Sequence, residues 1–392
     1  SRGLGDVYKR QCKYCIYHSF NEYYRNYGLQ DMNWETAKKA IDYVSRHSGE
    51  KELSIAFYGG EPLINYDVMK KTIEYSEMVM PKKTLIFAFT TNLSLMTLEK
   101  AKFFAKHNCY IMCSLDGPKI IHDAYRVDIK GDGTFNKVIE GLKNLLIAFG
   151  DRAKTHIKFN VVICPPYSRK KLDAIKEFFD KLDYLPAGID IKYSYVESGS
   201  LRKEDIDYTY FPEGEDIIGD VPPIDIWLTE ELPKQSSDQN VIFTLARDAL
   251  ARVHKRFLLD HPCEKMKRNG CCIPGGRRIY VDIKGNIALC ERVGKSPSLG
   301  NINKGIDLEQ VKRYYLEEYE KASVEQCKNC WAVNLCNMCY AACYRENGID
   351  IEAKNELCTY QKDQLKGELI MYHQVLETNP ELLEHIQDIE II

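Results

Sequence analysis

Along the first half of the chain the spacing of hydrophobic positions switches repeatedly between two periods. Short apolar runs at Leu53–Tyr58, Leu85–Phe89, Cys109–Cys113, Ile157–Ile163 and Ile189–Tyr193 read as strands. Between them lie stretches with a helical repeat, Trp34–His47, Asp67–Met80, Leu98–Lys106, Phe135–Ala148 and Lys170–Leu182. In the third of these, Leu98, Ala101, Phe104 and Ala105 fall on one face. Strands alternating with helices predict parallel βα units. A doubly wound sheet and a partial TIM-type barrel both satisfy this order.

Residues 1–11 break the pattern. Arg2, Asp6, Lys9 and Arg10 interrupt any alternation a buried strand would need, and no initiator Met is present. A foreign leader in place of a natural first strand is expected here, and restoring that strand would give six. After residue 197 a connector rich in Pro, Asp and Glu runs to Pro233, followed by a predicted helix over Val241–Phe257. Near the end, a helix over Lys362–Glu377 precedes an acidic tail with Leu382, Leu383 and Ile386 on one stripe.

At 392 residues the chain has room for two or three domains. A net charge of −3 gives no electrostatic case for nucleic acid or an anionic membrane. No apolar run is long enough to span a bilayer, so a cytoplasmic location is the expectation. The 26 tyrosines suit a peptide-binding groove and suit ordinary packing equally well.

Polar residues gather where the predicted strands end: Gly59-Gly60-Glu61-Pro62, Thr90-Thr91-Asn92 and Ser114-Leu115-Asp116-Gly117-Pro118. Each alone is an ordinary turn or cap. Three in register, downstream of Cys12 and Cys15, mark the C-terminal ends of parallel strands as an active-site face.

Ten of the fifteen cysteines lie between Cys263 and Cys358. Thiolates are soft ligands suited to zinc or iron–sulfur iron. Ten are too many for one zinc, which takes four. Eight would hold two four-cysteine centres. A disulfide framework is the blander reading, but it belongs to short secreted chains and no secretion signal is present. Zinc sites are the chief rival to clusters. Cys109 and Cys113 share one strand face and, with Cys164, are expected in the core.

The spacing Cys272, then Gly285-x4-Cys290, then Cys327-x2-Cys330-x5-Cys336 and a distant Cys358 resembles the SPASM extension of radical S-adenosylmethionine (SAM) enzymes. It departs at Tyr340, where the family has a cysteine and this chain has Cys339 and Cys343 on either side. Cys12-Lys13-Tyr14-Cys15 resembles the tail of the Cys-x3-Cys-x2-Cys motif of the same enzymes, with the first ligand falling at Tyr8. That substitution would leave the cluster one ligand short and the chain as written inactive.

The resemblance implies an α/β fold: a partial (β/α)6 TIM-type barrel with a C-terminal Cys-rich SPASM domain. It divides the chain into a leader (1–11), the barrel (12–205), a connector (206–260), the auxiliary-cluster domain (261–365) and a C-terminal helix and tail (366–392). The implied cofactors are SAM and 4Fe-4S clusters, one SAM-binding and two auxiliary. Gly59 to Pro62 resemble the GGEP motif, whose glycines admit the methionine part of SAM while Glu61 faces its ammonium. Tyr14 would contact adenine, and Ser114 and Asp116 the ribose or carboxylate. His122-Asp123 to Arg126, with Gly131 to Phe135, resembles a stretch of SPASM peptide modifiers whose role is not assigned, within which Arg126 would be a carboxylate partner; Asn92 and Asn160 complete the cofactor side. Cys272, Cys290, one of Cys339 or Cys343, and Cys263 or Cys271 would hold the first auxiliary cluster. Cys327, Cys330, Cys336 and Cys358 would hold the second.

In function the resemblance implies reductive cleavage of SAM to a 5′-deoxyadenosyl radical and modification of a peptide. Glu291 follows Cys290 where sulfatase-maturating enzymes resemble one another in an Asp base, and is the candidate base here. The run Cys327 to Cys343, with Trp331-Ala332, resembles maturases that form thioethers in Cys-rich peptides. Expected partners are a Cys-rich ribosomal precursor peptide and a low-potential flavodoxin or ferredoxin-type donor, with no nucleic acid and no membrane. Anaerobic sulfatase maturation and a non-catalytic iron–sulfur or zinc scaffold are the alternatives.

Overall fold

The computed structural model describes residues 12–18, 30–49, 51–197, 199–209, 230–234, 241–256, 272–293, 296–339 and 343–386. Expectations for residues 1–11, Cys263 and Cys271 lie outside these. The chain divides into two compact units near residue 222.

The first unit is built on five strands: β1 (Glu52–Phe57), β2 (Thr84–Thr91), β3 (Tyr110–Ser114), β4 (Ile157–Ile163) and β5 (Asp190–Tyr195). They pair in the order β1-β2-β3-β4-β5, and every pair is parallel. A doubly wound sheet reverses its strand order at a switch point. This one does not, which selects the partial barrel.

Burial agrees with that choice. Along β4, Ile157, Phe159, Val161 and Ile163 are buried while Lys158, Asn160 and Val162 are not. The opposite face carries small and polar residues, and Ala56, Ala88, Thr90 and Met112 line a hollow of about 210 Å³ against it. Parallel sheets usually have both faces covered. Here one face packs on helices, and among the described residues the other stays open.

The helices are α1 (Trp34–His47), α2 (Tyr66–Val79), α3 (Leu98–Lys106), α4 (Lys119–Tyr125), α5 (Phe135–Phe149) and α6 (Arg169–Asp180). Three start on side-chain caps: Asn33 accepts from Thr36 N, Thr97 from Lys100 N and Ser168 from Lys171 N. A cap satisfies an N–H the helix cannot pair itself. Helix α4 is absent from the sequence pattern; at seven residues it is too short to show a period.

In the second unit, α7 (Val241–His254) is followed by four short antiparallel strands, Tyr280–Val281, Asn286–Ala288, Gly300–Asn301 and Gly305–Ile306. A helical run from Leu308 ends in α8 (Tyr319–Cys327). The last long element, α9 (Ile351–Thr378), is capped by Asp350 accepting from Ala353 N. It starts well before the expected Lys362, so Cys358 lies inside the helix and not ahead of it. The tail stripe finds its place too: Leu382, Leu383 and Ile386 are buried with Phe243, Leu250, Met371 and Val375 in one core. Burial of such side chains stabilises by about 1.5–3 kcal/mol each.

The barrel also holds a contact that reverses an ordinary rule. Replacing a helical Gly by Ala normally gains about 1 kcal/mol. At Gly141, in α5, an added Cβ would stand 2.2 Å from the backbone oxygen of Leu93, a residue held at φ 65°. Gly141→Ala is therefore expected to destabilise the first unit by about 1–3 kcal/mol, read as a lower urea midpoint.

Candidate active site

The loops after β1, β2, β3 and β4 bring the strand-end residues together. Glu61, 4% exposed, is the hub of the first group. Its Oε1 accepts from Leu63 N (3.1 Å) and Thr91 Oγ1 (2.8 Å), and its Oε2 from Asn92 N (2.7 Å). Burial raises its pKa, and these three donors work the other way. The carboxylate thus ties the Gly-Gly-Glu-Pro turn to the end of β2. Gly59 and Gly60 are exposed, and a Cβ on Gly59 would meet nothing. Asn92 turns its Oδ1 to Ser94 N and Oγ.

A second group centres on Asp116, just past β3 and 2% exposed. Its Oδ2 accepts from Tyr14 OH (2.6 Å) and Arg126 Nε (2.6 Å). Its Oδ1 accepts from Arg126 Nη2 (3.1 Å) and Val162 N (3.0 Å). The fork-to-fork geometry and lack of solvent make this a strong pair. Arg126 lies 5.3 Å from the Tyr14 ring centre and donates from Nη1 to Cys12 Sγ at 3.3 Å. The backbone joins in: Cys12 bridges to Arg126, and Lys13 N donates to Tyr125 O. Tyr14 and Arg126, expected to face the cofactor, are each engaged with Asp116.

The stretch His122 to Phe135 acquires a role that sequence alone did not supply. Asp116 N donates to His122 Nδ1, which places the imidazole proton on Nε2, facing Thr134 Oγ1 at 3.1 Å. Thr134 Oγ1 in turn donates to Arg126 O. His122 is fully buried, and burial, then the Arg126 charge, pull its pKa down to about 4. Asp123 accepts from Phe135 N, and its carboxylate fills the space a side chain at Gly133 would need. Lys171 is the supporting residue missed from sequence, whereas Thr91 stands among the polar strand ends and His122 and Thr134 in a stretch whose role the sequence leaves open. Lys171, buried, donates to Cys164 O and Pro166 O beyond β4.

Cys12 and Cys15 lie on a tight turn beside both groups. Burial pushes the Cys12 thiol up to about 12, Arg126 opposes this, and Cys15, Asp116 and Glu61 add to it. Tyr17, on the same turn, packs edge-on against Tyr58 next to Gly59. Ser114 and Asn160 sit opposite each other in register on β3 and β4. Cys109 and Cys113 are fully buried, as expected; Cys164 is buried against Tyr14 and Tyr125.

In the second unit Cys327, Cys330, Cys336 and Cys358 line one cavity of about 60 Å³, room for more than a single water. Among the described residues no three Cys, His or carboxylate groups converge on a single ion. Ser323 and Arg252 also line the cavity, and Ser323 Oγ and Arg252 Nε are buried without a hydrogen-bond partner among the described residues. Four thiols with unspent donors around a space larger than one ion fit a cluster whose sulfides accept hydrogen bonds. Elsewhere, Arg278 bonds to Cys272 and feels Glu291 and Cys290, while Cys343 Sγ approaches Cys339 O.

Two outcomes follow for the Asp116 group. Asp116→Asn removes the charge facing a buried guanidinium and should cost the first unit about 3–5 kcal/mol, measured by urea unfolding. The His122 prediction concerns pH. The unfolded imidazole takes up a proton below about 6.5, whereas the folded one resists until about 4. Stability should therefore fall as pH is lowered through that window, by up to about 1.4 kcal/mol per pH unit. His122→Gln should flatten that slope.

Comparison with known proteins places this geometry. Residues 9–182 match the model of the Radical SAM superfamily. A cysteine-type anaerobic sulfatase-maturating enzyme of Clostridium novyi is 32% identical over 44% of this chain and 45% of its own length. The chain thus spans under half of that relative. An uncharacterized protein of Methanocaldococcus jannaschii is 30% identical over 74% of this chain and 84% of its own. Among solved structures, native anSMEcpe with bound AdoMet and the Kp18Cys peptide superposes with a TM-score of 0.64 at 20% identity, covering 98% of this chain and 97% of that one. No helix among the described residues is long and apolar enough to cross a membrane. By its matched domain and its strand-end architecture, the chain belongs to the radical SAM superfamily.

Proposed function

We propose that this protein is a radical SAM peptide maturase that installs thioether crosslinks from cysteines of a ribosomally made peptide. The observation carrying the maturase reading is the lining of one cavity by Cys327, Cys330, Cys336 and Cys358, in a chain that also sets Cys12 against Arg126 and within the field of Glu61. Bound at Cys12, Cys15 and a cysteine restored in place of Tyr8, a cluster with SAM would supply a 5′-deoxyadenosyl radical by one-electron cleavage of the sulfonium bond. In that setting Cys12 and Cys15 are ligands. Arg126 fixes Cys12 through its bond to Sγ, and Asp116 fixes Arg126. Gly59 and Gly60 leave an open approach for the methionine part of SAM. The open barrel face receives the peptide, with Ser114 at the end of β3 and Asn160 opposite it on β4, on the cofactor side.

Two auxiliary clusters complete the assignment: Cys327, Cys330, Cys336 and Cys358 for one, and Cys272, Cys290, one of Cys339 or Cys343, and Cys263 or Cys271 for the other. Glu291, beside Arg278, is the candidate base. A flavodoxin or ferredoxin-type donor in the cytoplasm would supply the electron. What favours thioether formation over sulfatase maturation is Glu291 after Cys290, together with the Cys327 to Cys343 run. Sulfatase maturation is the second reading, favoured by the named activity of the Clostridium novyi relative.

Anaerobic reconstitution of the chain carrying Tyr8→Cys tests the proposal. Three clusters correspond to about twelve irons, with turnover of SAM to 5′-deoxyadenosine. A co-expressed Cys-rich peptide should become lighter by a pair of hydrogens per crosslink and resist thiol alkylation. Conversion of a sulfatase Cys or Ser to an aldehyde would favour the second reading. Bound zinc with no SAM turnover would leave only a scaffold.

A further inference from the structure

Lys354, in the first turns of α9, is fully buried at 0% exposure. Its Nζ donates to Gln326 Oε1 at 2.8 Å and reaches Cys358 Sγ at 3.9 Å. Cys358 Sγ stands 3.8 Å from the same Gln326 oxygen, so the three groups form a closed triangle at the edge of the four-thiol cavity. Among the described residues no carboxylate pairs with Lys354. Arg252, at the same cavity, has Glu368 as its ion-pair partner. A buried ammonium facing only an amide and a thiol lacks the counter-charge such burial normally demands.

The missing charge is supplied when the surrounding thiols become thiolates. Metal ligation requires that deprotonation. A cluster held by four thiolates is anionic, and one-electron reduction makes it more so. A fixed cation near a ligand sulfur favours the reduced form, because net charge and hydrogen bonds to sulfur set cluster potentials.

We propose that Lys354 is the built-in counter-charge of the cluster in this cavity, a positioning residue that raises its reduction potential. The proposal rests on the reading that Cys327, Cys330, Cys336 and Cys358 hold an iron–sulfur cluster. Simple helix packing is the rival role for Lys354, and it would leave the potential unmoved.

The test uses the full chain with Cys12, Cys15, Cys272 and Cys290 each changed to Ala, reconstituted anaerobically with iron and sulfide. Only the cluster in question then remains, and its midpoint is read by EPR during titration with dithionite. Lys354→Met should weaken one-electron reduction at least tenfold, about 59 mV. Gln326→Glu leaves the lysine in place and neutralises it with a carboxylate, and should lower the midpoint in the same direction. It decides the question if Lys354→Met does not retain iron. Midpoints within threefold of the parent in every variant that retains iron would overturn the role of Lys354. Absence of about four irons per chain in the parent background would instead overturn the cluster assignment on which it rests.

Discussion

The first unit depends on one carboxylate. Asp116 is out of solvent, yet every donor around it is spoken for: a phenol, two guanidinium nitrogens and a backbone N–H. These partners come from the Cys12–Cys15 turn, from the end of α4 and from β4, which lie far apart in the chain. Without the aspartate the guanidinium would be an unpaired buried charge. With it, Arg126 is held so that its remaining nitrogen points at Cys12. Local sequence places these segments only approximately, and a buried bidentate pair specifies their final geometry.

Glu61 has a comparable role at the neighbouring strand ends. It links a turn after β1 to the end of β2 through backbone and hydroxyl donors, with no cation among the described residues in hydrogen-bond contact. The two carboxylates therefore differ in kind. Asp116 is neutralised by a fixed charge, whereas Glu61 relies on dipoles and keeps unused lone pairs. Of the two, Glu61 is electrostatically better suited to meet an incoming cationic group.

Much of the barrel was legible in the sequence because its signals are local. The bounds of α1 and α3 coincide with those expected, since a side-chain cap and an apolar stripe define each. The choice between barrel and doubly wound sheet was not legible, because strand order is a property of pairing and not of period. At the site, the polar strand ends were visible as a cluster. The partners of Tyr14 and Arg126 were not, since a hydrogen bond between residues 102 positions apart leaves no trace in spacing. His122 and Thr134 were visible only as a motif without a role. Cys358 was misplaced relative to its helix because Asp350, the capping residue, lies ahead of a stretch whose polar face is wide.

That helix has a mechanical implication. At 1.5 Å per residue, α9 is a rod of about 40 Å that carries Cys358 near one end and Met371, Tyr372 and Val375 near the other. On the proposed assignment, anchoring the Cys358 sulfur to iron would clamp the rod at its front, while the apolar residues seat its rear against α7 and the closing tail. Loading with iron and consolidation of that distant apolar seat would then be two grips on a single lever. Under that assignment, iron starvation would loosen the far grip as well, and the C-terminal segment would be where a protease distinguishes filled molecules from empty ones.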